Sequence, residues 1–152
     1  MDMTATTAYK NAVSAMLIDR WEQTGSKLLS LAQGFPGESY ETAPVNSVRT
    51  FGGVLRHVAF WNNYLADKLR GLEADDSANE LPQAKYGTKQ QVLTALAKST
   101  EDAAIALRAR ADGLDSEAAA LVESFIEHIC EHYGQLVVYS RWAGIAPPAS
   151  QS

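Results

Sequence analysis

Residues 121–141 read LVESFIEHICEHYGQLVVYSR, and this stretch carries the pattern that decides the fold. Asp115 or Ser116 can cap a helix at its N-terminus, and Gly144 with the prolines that follow it prevents the helix from continuing. The pattern therefore predicts a helix near residues 115–142. Its apolar side chains recur at the spacing of one helix face, at Leu121, Phe125, Ile129, Leu136 and Tyr139.

Apolar residues at helical spacing predict two further helices in the first half of the chain. The first lies near residues 7–33, and Gly25 inside it weakens the helix by ~1 kcal/mol relative to alanine. The second lies near residues 46–71, where Asn46 or Ser47 can accept a hydrogen bond from a free N–H of the first turn.

A capping box predicts where another helix begins, near residues 88–112. Thr88 stands at the cap, and Gln91 follows three residues later. No segment shows the two-residue alternation of a strand. We expect an all-α four-helix bundle that forms one domain over residues 1–152. A glycine follows each of the last three predicted helices, at Gly71, Gly113 and Gly144.

Composition excludes some classes of function. Thirteen Lys and Arg against 18 Asp and Glu give a net charge of −5, and no basic cluster is present, so we expect no nucleic-acid partner. No apolar run reaches the ~20 residues that span a bilayer, so we expect no membrane partner. The start of the chain does not resemble a secretory signal, and we expect a cytoplasmic protein. Cys130, the only cysteine, is expected to be a buried or half-buried apolar residue.

The three histidines are the candidate metal ligands. His128 and His132 are four residues apart on the fourth predicted helix, so their rings project from nearly one face. His57 lies at the edge of the apolar stripe of the second helix, and can face the pair if these two helices are neighbours. Spacing alone leaves open a surface histidine pair and a hydrogen-bonded core histidine.

Four segments resemble the DinB-like superfamily. Residues 47–58, SVRTFGGVLRHV, resemble its first histidine region, and residues 128–141, HICEHYGQLVVYSR, are similar to its second. Residues 144–148, GIAPP, resemble the closing Gly-x-x-Pro-Pro of the family, and residues 35–40, FPGESY, resemble its link before the second helix. The resemblance covers essentially the whole chain in order and spacing, although the third helix contributes little that is specific.

The resemblance implies a four-helix bundle in which His57, His128 and His132 bind one divalent ion, which is zinc, nickel or iron. It also implies a homodimer. Some relatives are thiol S-transferases that use bacillithiol, so a metal-dependent transferase that joins a low-molecular-weight thiol to an electrophile is the expected function. A non-catalytic metal-binding stress-response protein and a metal-dependent hydrolase are the alternatives. The catalytic residues stay open.

The residues around the histidine pair permit other interpretations. His128 to His132 match the His-x-x-Glu-His motif of inverted zinc peptidases, but residues 133–152 contain no carboxylate to complete that site, so we reject the peptidase. Glu131 is expected to face solvent, and Arg141 to interact with the end of the helix or with an anionic substrate. Candidate pocket residues, each with a core or surface role as the alternative, are Trp61, Asn62, Gln135 and Tyr139.

Overall fold

The computed structural model describes residues 2–110 and 113–151. Over these residues the chain is all-α and contains no strand, which confirms the predicted fold class. The helices are α1 (Met3–Gly34), α2 (Phe51–Leu69), α3 (Lys89–Arg108) and α4 (Ser116–Trp142). Short 3₁₀ turns at Gly37–Ser39 and Pro148–Ser150 follow α1 and α4.

The helices form a bundle in which α4 packs between α1 and α2, and α3 packs against the other sides of α1 and α2. The ammonium of Lys27 lies over the ring of Tyr133, and more N-terminal parts of the same two helices line a shared groove, so α1 and α4 are parallel. Lys89, at the start of α3, donates to the carbonyl of Gln33 at the end of α1, so these two helices are antiparallel.

The site lies between α2 and α4, which are antiparallel neighbours. His57 of α2 meets His128 of α4, and the carbonyl of Arg49 before α2 accepts from Tyr139 near the end of α4. Since α2 and α3 are parallel, the chain must cross the length of the bundle between them. This crossover, residues 70–88, passes close to His57.

The first two helices begin at different residues from those predicted. α1 begins at Met3 rather than near residue 7, because the Asp2 carboxylate accepts from the N–H of Thr4. α2 begins at Phe51 rather than near residue 46, and its cap is Thr50, which accepts from the N–H of Gly53.

The later start of α2 has a cause in the preceding turn. The carbonyl of Tyr40 accepts from the N–H of Gly52, and the carbonyl of Thr42 accepts from the N–H of Phe51. The helix therefore starts where this turn supplies acceptors for its free N–H groups, and Asn46 and Ser47, the predicted caps, lie in the loop before it.

The other predicted ends of helices compare well with the structure, with one exception. Thr88 and Gln91 form both hydrogen bonds of the capping box, and Asp115 caps α4. Gly71 and Gly144 adopt positive φ after α2 and α4. α3 ends at Arg108 instead of near residue 112, and residues 111 and 112 lie outside the described residues.

The core contains one close contact between α1 and α3. Trp21 is fully buried and donates from Nε1 to the carbonyl of Thr100 at 3.0 Å. A Cβ on Gly25 would lie 2.5 Å from Cγ2 of Thr100, so the glycine allows the two helices to approach. In the described part of the chain, no helix combines the length and apolar character needed to cross a membrane.

Candidate metal centre

The three predicted ligands lie together between α2 and α4. Their ligand nitrogens all lie within 4.8 Å of one another, and Nε2 of His57 lies 2.9 Å from Nε2 of His128. His57 is buried, with 8% of its surface exposed, whereas His128 and His132 are partly exposed. The structure thus confirms that these residues form one cluster; that they bind a metal stays a prediction.

The spacing of the nitrogens fits one divalent ion. Two imidazoles bound at ~2.0–2.1 Å with tetrahedral geometry place their nitrogens roughly 3.3 Å apart. The observed separations run from 2.9 Å to no more than 4.8 Å, which brackets this value.

Hydrogen bonds behind His57 fix its orientation. Its Nδ1 donates to the carbonyl of Asn79 at 2.5 Å, so the proton is on Nδ1 and Nε2 carries a lone pair that points into the cluster. The side-chain oxygen of Asn79 accepts from Nε1 of Trp61 at 2.9 Å. The crossover loop therefore holds both a candidate ligand and an aromatic residue beside it.

A chain of hydrogen bonds behind His132 fixes the second ligand. The hydroxyl of Tyr139 donates to the carbonyl of Arg49 at 2.8 Å, so its oxygen can accept from the amide NH₂ of Gln135 at 3.1 Å. The amide oxygen of Gln135 then accepts from Nδ1 of His132 at 2.8 Å. Because this order leaves Nε2 of His132 without a proton, its lone pair is free for a metal.

His128 differs from the other two ligands. Its Nδ1 is buried and has no hydrogen-bond partner among the described residues. Burial, together with smaller effects of the neighbouring His132, His57 and Arg49, lowers the pKa of His128 to about 3. The pKa of His57 is also lowered, first by burial, although the hydrogen bond to Asn79 acts in the opposite direction. Both imidazoles are therefore neutral at pH 7, which is the form that binds metals.

A pocket with a volume of about 380 Å³ opens onto the cluster. The three histidines line it together with Trp61, Ser124 and Phe125. Phe125 stacks on Tyr64, with ring centroids 6.0 Å apart, so the wall of the pocket is aromatic. Among the described residues, no carboxylate lines this pocket.

The other candidate pocket residues differ in their position relative to the pocket. Trp61 lines the pocket, whereas Gln135 and Tyr139 lie behind His132. For Asn62 the core alternative holds, because its amide is buried and bonds to Ser99 and Thr100 of α3.

The remaining candidates lie outside the cluster. Cys130 is exposed, so the expectation of a buried or half-buried residue is wrong: within the described residues, no other helix covers this face of α4. Glu131 is exposed as expected. Arg141 lies in the last turn of α4 and donates to Ser150, which fits its role at the end of the helix.

Two contributors to the site were not predicted. Asn79 acts on His57 through its backbone carbonyl, which every residue type has, so no sequence signal could identify it. Phe125 was assigned only to the apolar stripe of α4, and it lies one turn before His128 on the same face. That spacing was the available signal for an aromatic wall beside the ligands.

Comparison with protein families agrees with this geometry. The family model of the DinB superfamily matches residues 20–136, which is most of the chain. The chain belongs to the DinB superfamily. The matched residues include all three histidines and parts of all four helices, so the DinB match and the histidine cluster describe the same bundle. The comparison with curated proteins finds no match to the chain.

Proposed function

We propose that His57, His128 and His132 bind one divalent metal ion and that the protein is a metal-dependent thiol S-transferase. The observation that carries the metal is the meeting of three imidazoles, two of which are held by hydrogen bonds at Nδ1 in the tautomer that leaves Nε2 without a proton. The observation that favours a thiol is the pocket, which is aromatic and has no carboxylate among its described lining residues.

The residues in and behind the pocket have different proposed roles. A divalent ion held by the three neutral imidazoles would lower the pKa of a thiol or of water that binds to it. His57 and His132 keep their orientation through Asn79 and Gln135. Trp61 and Phe125 provide an apolar surface on which the electrophile can rest beside the histidines, shielded from water on one side.

The proposed reaction is a substitution at the carbon of an electrophile such as a haloaromatic. The thiol gives up its proton to solvent through the open pocket. Its sulfur forms a bond to the carbon, and the bond from that carbon to the halogen breaks. The halide leaves with the electron pair, and the products are the thioether and a hydrogen halide, so neither an oxidant nor a reductant is needed.

A hydrolase is less consistent with this site. Hydrolysis needs proton transfer to the leaving group and from water, for which enzymes place a carboxylate, histidine or similar group within hydrogen-bond reach. The three histidines are occupied by the proposed metal, and Glu127 and Glu131, which directly precede His128 and His132 on α4, are exposed to solvent. A thiol has a lower pKa than water and can react without such a group.

A non-catalytic metal-binding protein is the main competitor, and turnover separates it from the transferase. Purified protein would be supplied with zinc, nickel or iron, because imidazole ligands suit all three. The formation of a thioether from a low-molecular-weight thiol and a chlorodinitro-aromatic would then be followed, with His132→Ala as the test and Glu131→Gln as the matched control on the same helix. We expect turnover in wild type and control alone. Metal binding without turnover of any thiol supports the non-catalytic protein.

A further inference from the structure

Three consecutive residues of the crossover between α2 and α3 contact α2. The carbonyl of Asn79 accepts from Nδ1 of His57 at 2.5 Å, and the N–H of Leu81 donates to the carbonyl of Arg56 at 3.3 Å. Between them, the side chain of Glu80 reaches back to the first turn of α2. The orientation of His57 therefore depends on the groups that hold this part of the crossover against the helix.

The preceding part of the crossover contributes little to the position of Asn79. Within the described part of the chain, residues 73–78 form hydrogen bonds only among themselves, between Asp75 and Ser77. These six residues contain no helical turn and are mostly exposed. A segment with so few contacts opens locally at a low cost in free energy unless a neighbouring side chain anchors it.

The carboxylate of Glu80 lies between two arginines. Its Oε1 is 3.8 Å from Nε of Arg49, and its Oε2 is 3.7 Å from Nε of Arg56. Both Nε atoms are buried and have no hydrogen-bond partner in the part of the chain that the structure describes. The other two nitrogens of Arg56 bond to Glu41, which leaves the Nε edge of this buried guanidinium to Glu80. The carboxylate also lies beside Gly53 in the first turn of α2, where the helix dipole favours a negative charge.

Arg49 also ends the hydrogen-bond chain behind His132. Its carbonyl accepts from Tyr139, the oxygen of Tyr139 accepts from Gln135, and the amide oxygen of Gln135 accepts from His132. Arg49 thus supports His132 through its backbone and faces Glu80 with its side chain. Because the backbone carbonyl does not depend on Glu80, the loss of Glu80 should release one histidine and not the other.

We propose that Glu80 is a positioning residue for His57. Its carboxylate, held between Arg49 and Arg56, keeps the crossover against α2, and the carbonyl of Asn79 therefore stays on Nδ1 of His57. The proton of His57 is then held on Nδ1, and Nε2 stays free on the side of the other two histidines. This role rests on the proposed metal centre for its purpose, whereas the contacts that produce it need no metal.

NMR on isotope-labelled, metal-free protein tests this role. The Nδ1 proton of His57 should exchange with water about threefold to tenfold faster in Glu80→Ala than in wild type, because the loss of the ion pairs raises the open fraction of the crossover. The Nδ1 proton of His132 is the internal reference and should exchange at an unchanged rate. Glu73→Ala removes the same charge from an exposed position in the same crossover and should leave both rates unchanged.

Two further readouts separate an ion pair from a side chain that only fills space. Added salt should accelerate the exchange at His57 more in wild type than in Glu80→Ala, since salt screens the ion pairs that only wild type has. The Kd for zinc should rise by at most about threefold in Glu80→Ala, because the apparent affinity falls only with the fraction of chains whose crossover is closed. Circular dichroism melting would confirm that every variant folds.

Several results would overturn the role of Glu80. An unchanged rate at His57 in Glu80→Ala means that Glu80 does not hold the crossover. If Asn79→Ala accelerates the exchange and Glu80→Ala does not, the bond between Asn79 and Trp61 holds it instead. Equal acceleration at His57 and His132 indicates a general loosening of the bundle and also contradicts the proposal. If wild-type protein binds no zinc but Glu80→Ala accelerates the exchange at His57 alone, the proposed metal centre fails and the role of Glu80 stands.

Discussion

Replacing Gln135 with leucine tests whether the hydrogen bonds behind His132 prepare it for a metal. The amide oxygen of Gln135 accepts from Nδ1 of His132 at 2.8 Å, and its NH₂ donates to Tyr139 at 3.1 Å. Leucine is similar in length but accepts no hydrogen bond. In Gln135→Leu, the imidazole of His132 can therefore rotate, and its proton is no longer held on Nδ1.

The expected loss of metal affinity follows from the hydrogen bond that His132 loses. Metal-binding histidines that lose the acceptor behind them bind the metal ~10–100-fold less tightly. That range equals about 1.4–2.8 kcal/mol of binding free energy. Only one of the three ligands is released, because His57 keeps its own bond to Asn79. We therefore expect about a tenfold to thirtyfold increase in the Kd for zinc, within that range.

Competition between the protein and a chromophoric chelator measures this Kd, and the visible spectrum of the cobalt form reports the ligand geometry. Gln135→Glu keeps an acceptor for His132 and should retain or increase the affinity. Glu131→Gln, an exposed change on the same helix, should leave both readouts unchanged. If Gln135→Leu binds zinc within twofold of wild type and keeps the same cobalt spectrum, the hydrogen-bond argument is wrong.

Two further predictions concern stability, measured by denaturant unfolding at neutral pH. Gly25→Ala should destabilise the protein by about 1–2 kcal/mol because its Cβ would lie 2.5 Å from Cγ2 of Thr100, and Thr100→Ser in the same chain should recover most of this. Gly134→Ala, where a Cβ meets open space, should instead stabilise α4 by about 0.5–1 kcal/mol; a loss in both glycine variants would contradict the contact argument. Glu41→Gln should cost about 1–2 kcal/mol, because Arg56 is 3% exposed and loses its closest carboxylate, at 2.7 Å, whereas Glu41 is 36% exposed and Glu80 remains 3.7 Å from Arg56. Burial raises the pKa of Glu41, but the hydrogen bonds from Arg56 and Thr50 and the charge of Arg56 together outweigh it and lower the pKa from 4.5. The wild-type advantage should therefore be complete above pH 4.5 and disappear as the pH falls through the lowered value. An advantage that persists at lower pH would contradict this ion pair as its source.

The helices could be predicted from the sequence because their signals are local. The capping box of Thr88 and Gln91 and the glycine at position 71 act within a few residues of themselves, and both appear in the structure. The predicted start of α2 was wrong by about one turn, because Asn46 and Ser47 are better caps by residue type than Thr50, which the structure uses. The choice depends on the turn that supplies the carbonyls of Tyr40 and Thr42.

The histidine cluster could be predicted for a related reason. Helical spacing places His128 beside His132, and the apolar stripe of α2 directs His57 inward. Only whether α2 and α4 are adjacent in the bundle could not be predicted, and the structure shows that they are. The contact between the carbonyl of Asn79 and His57 could not be predicted from the sequence, because the path of a crossover loop depends on tertiary packing. The exposure of Cys130 was likewise decided by which face of α4 the other helices leave uncovered.

The metal content of untagged protein tests the central claim most directly. After incubation with zinc, nickel or iron and removal of the excess, we expect one ion per chain in wild type and almost none in His128→Ala. At a free metal concentration of ~100 Kd, binding should stabilise the native state by ~2.7 kcal/mol and raise the Tm by roughly 5–10 °C. No retained ion and an unchanged Tm with all three metals, or equal retention in His128→Ala, would contradict a metal site at these histidines.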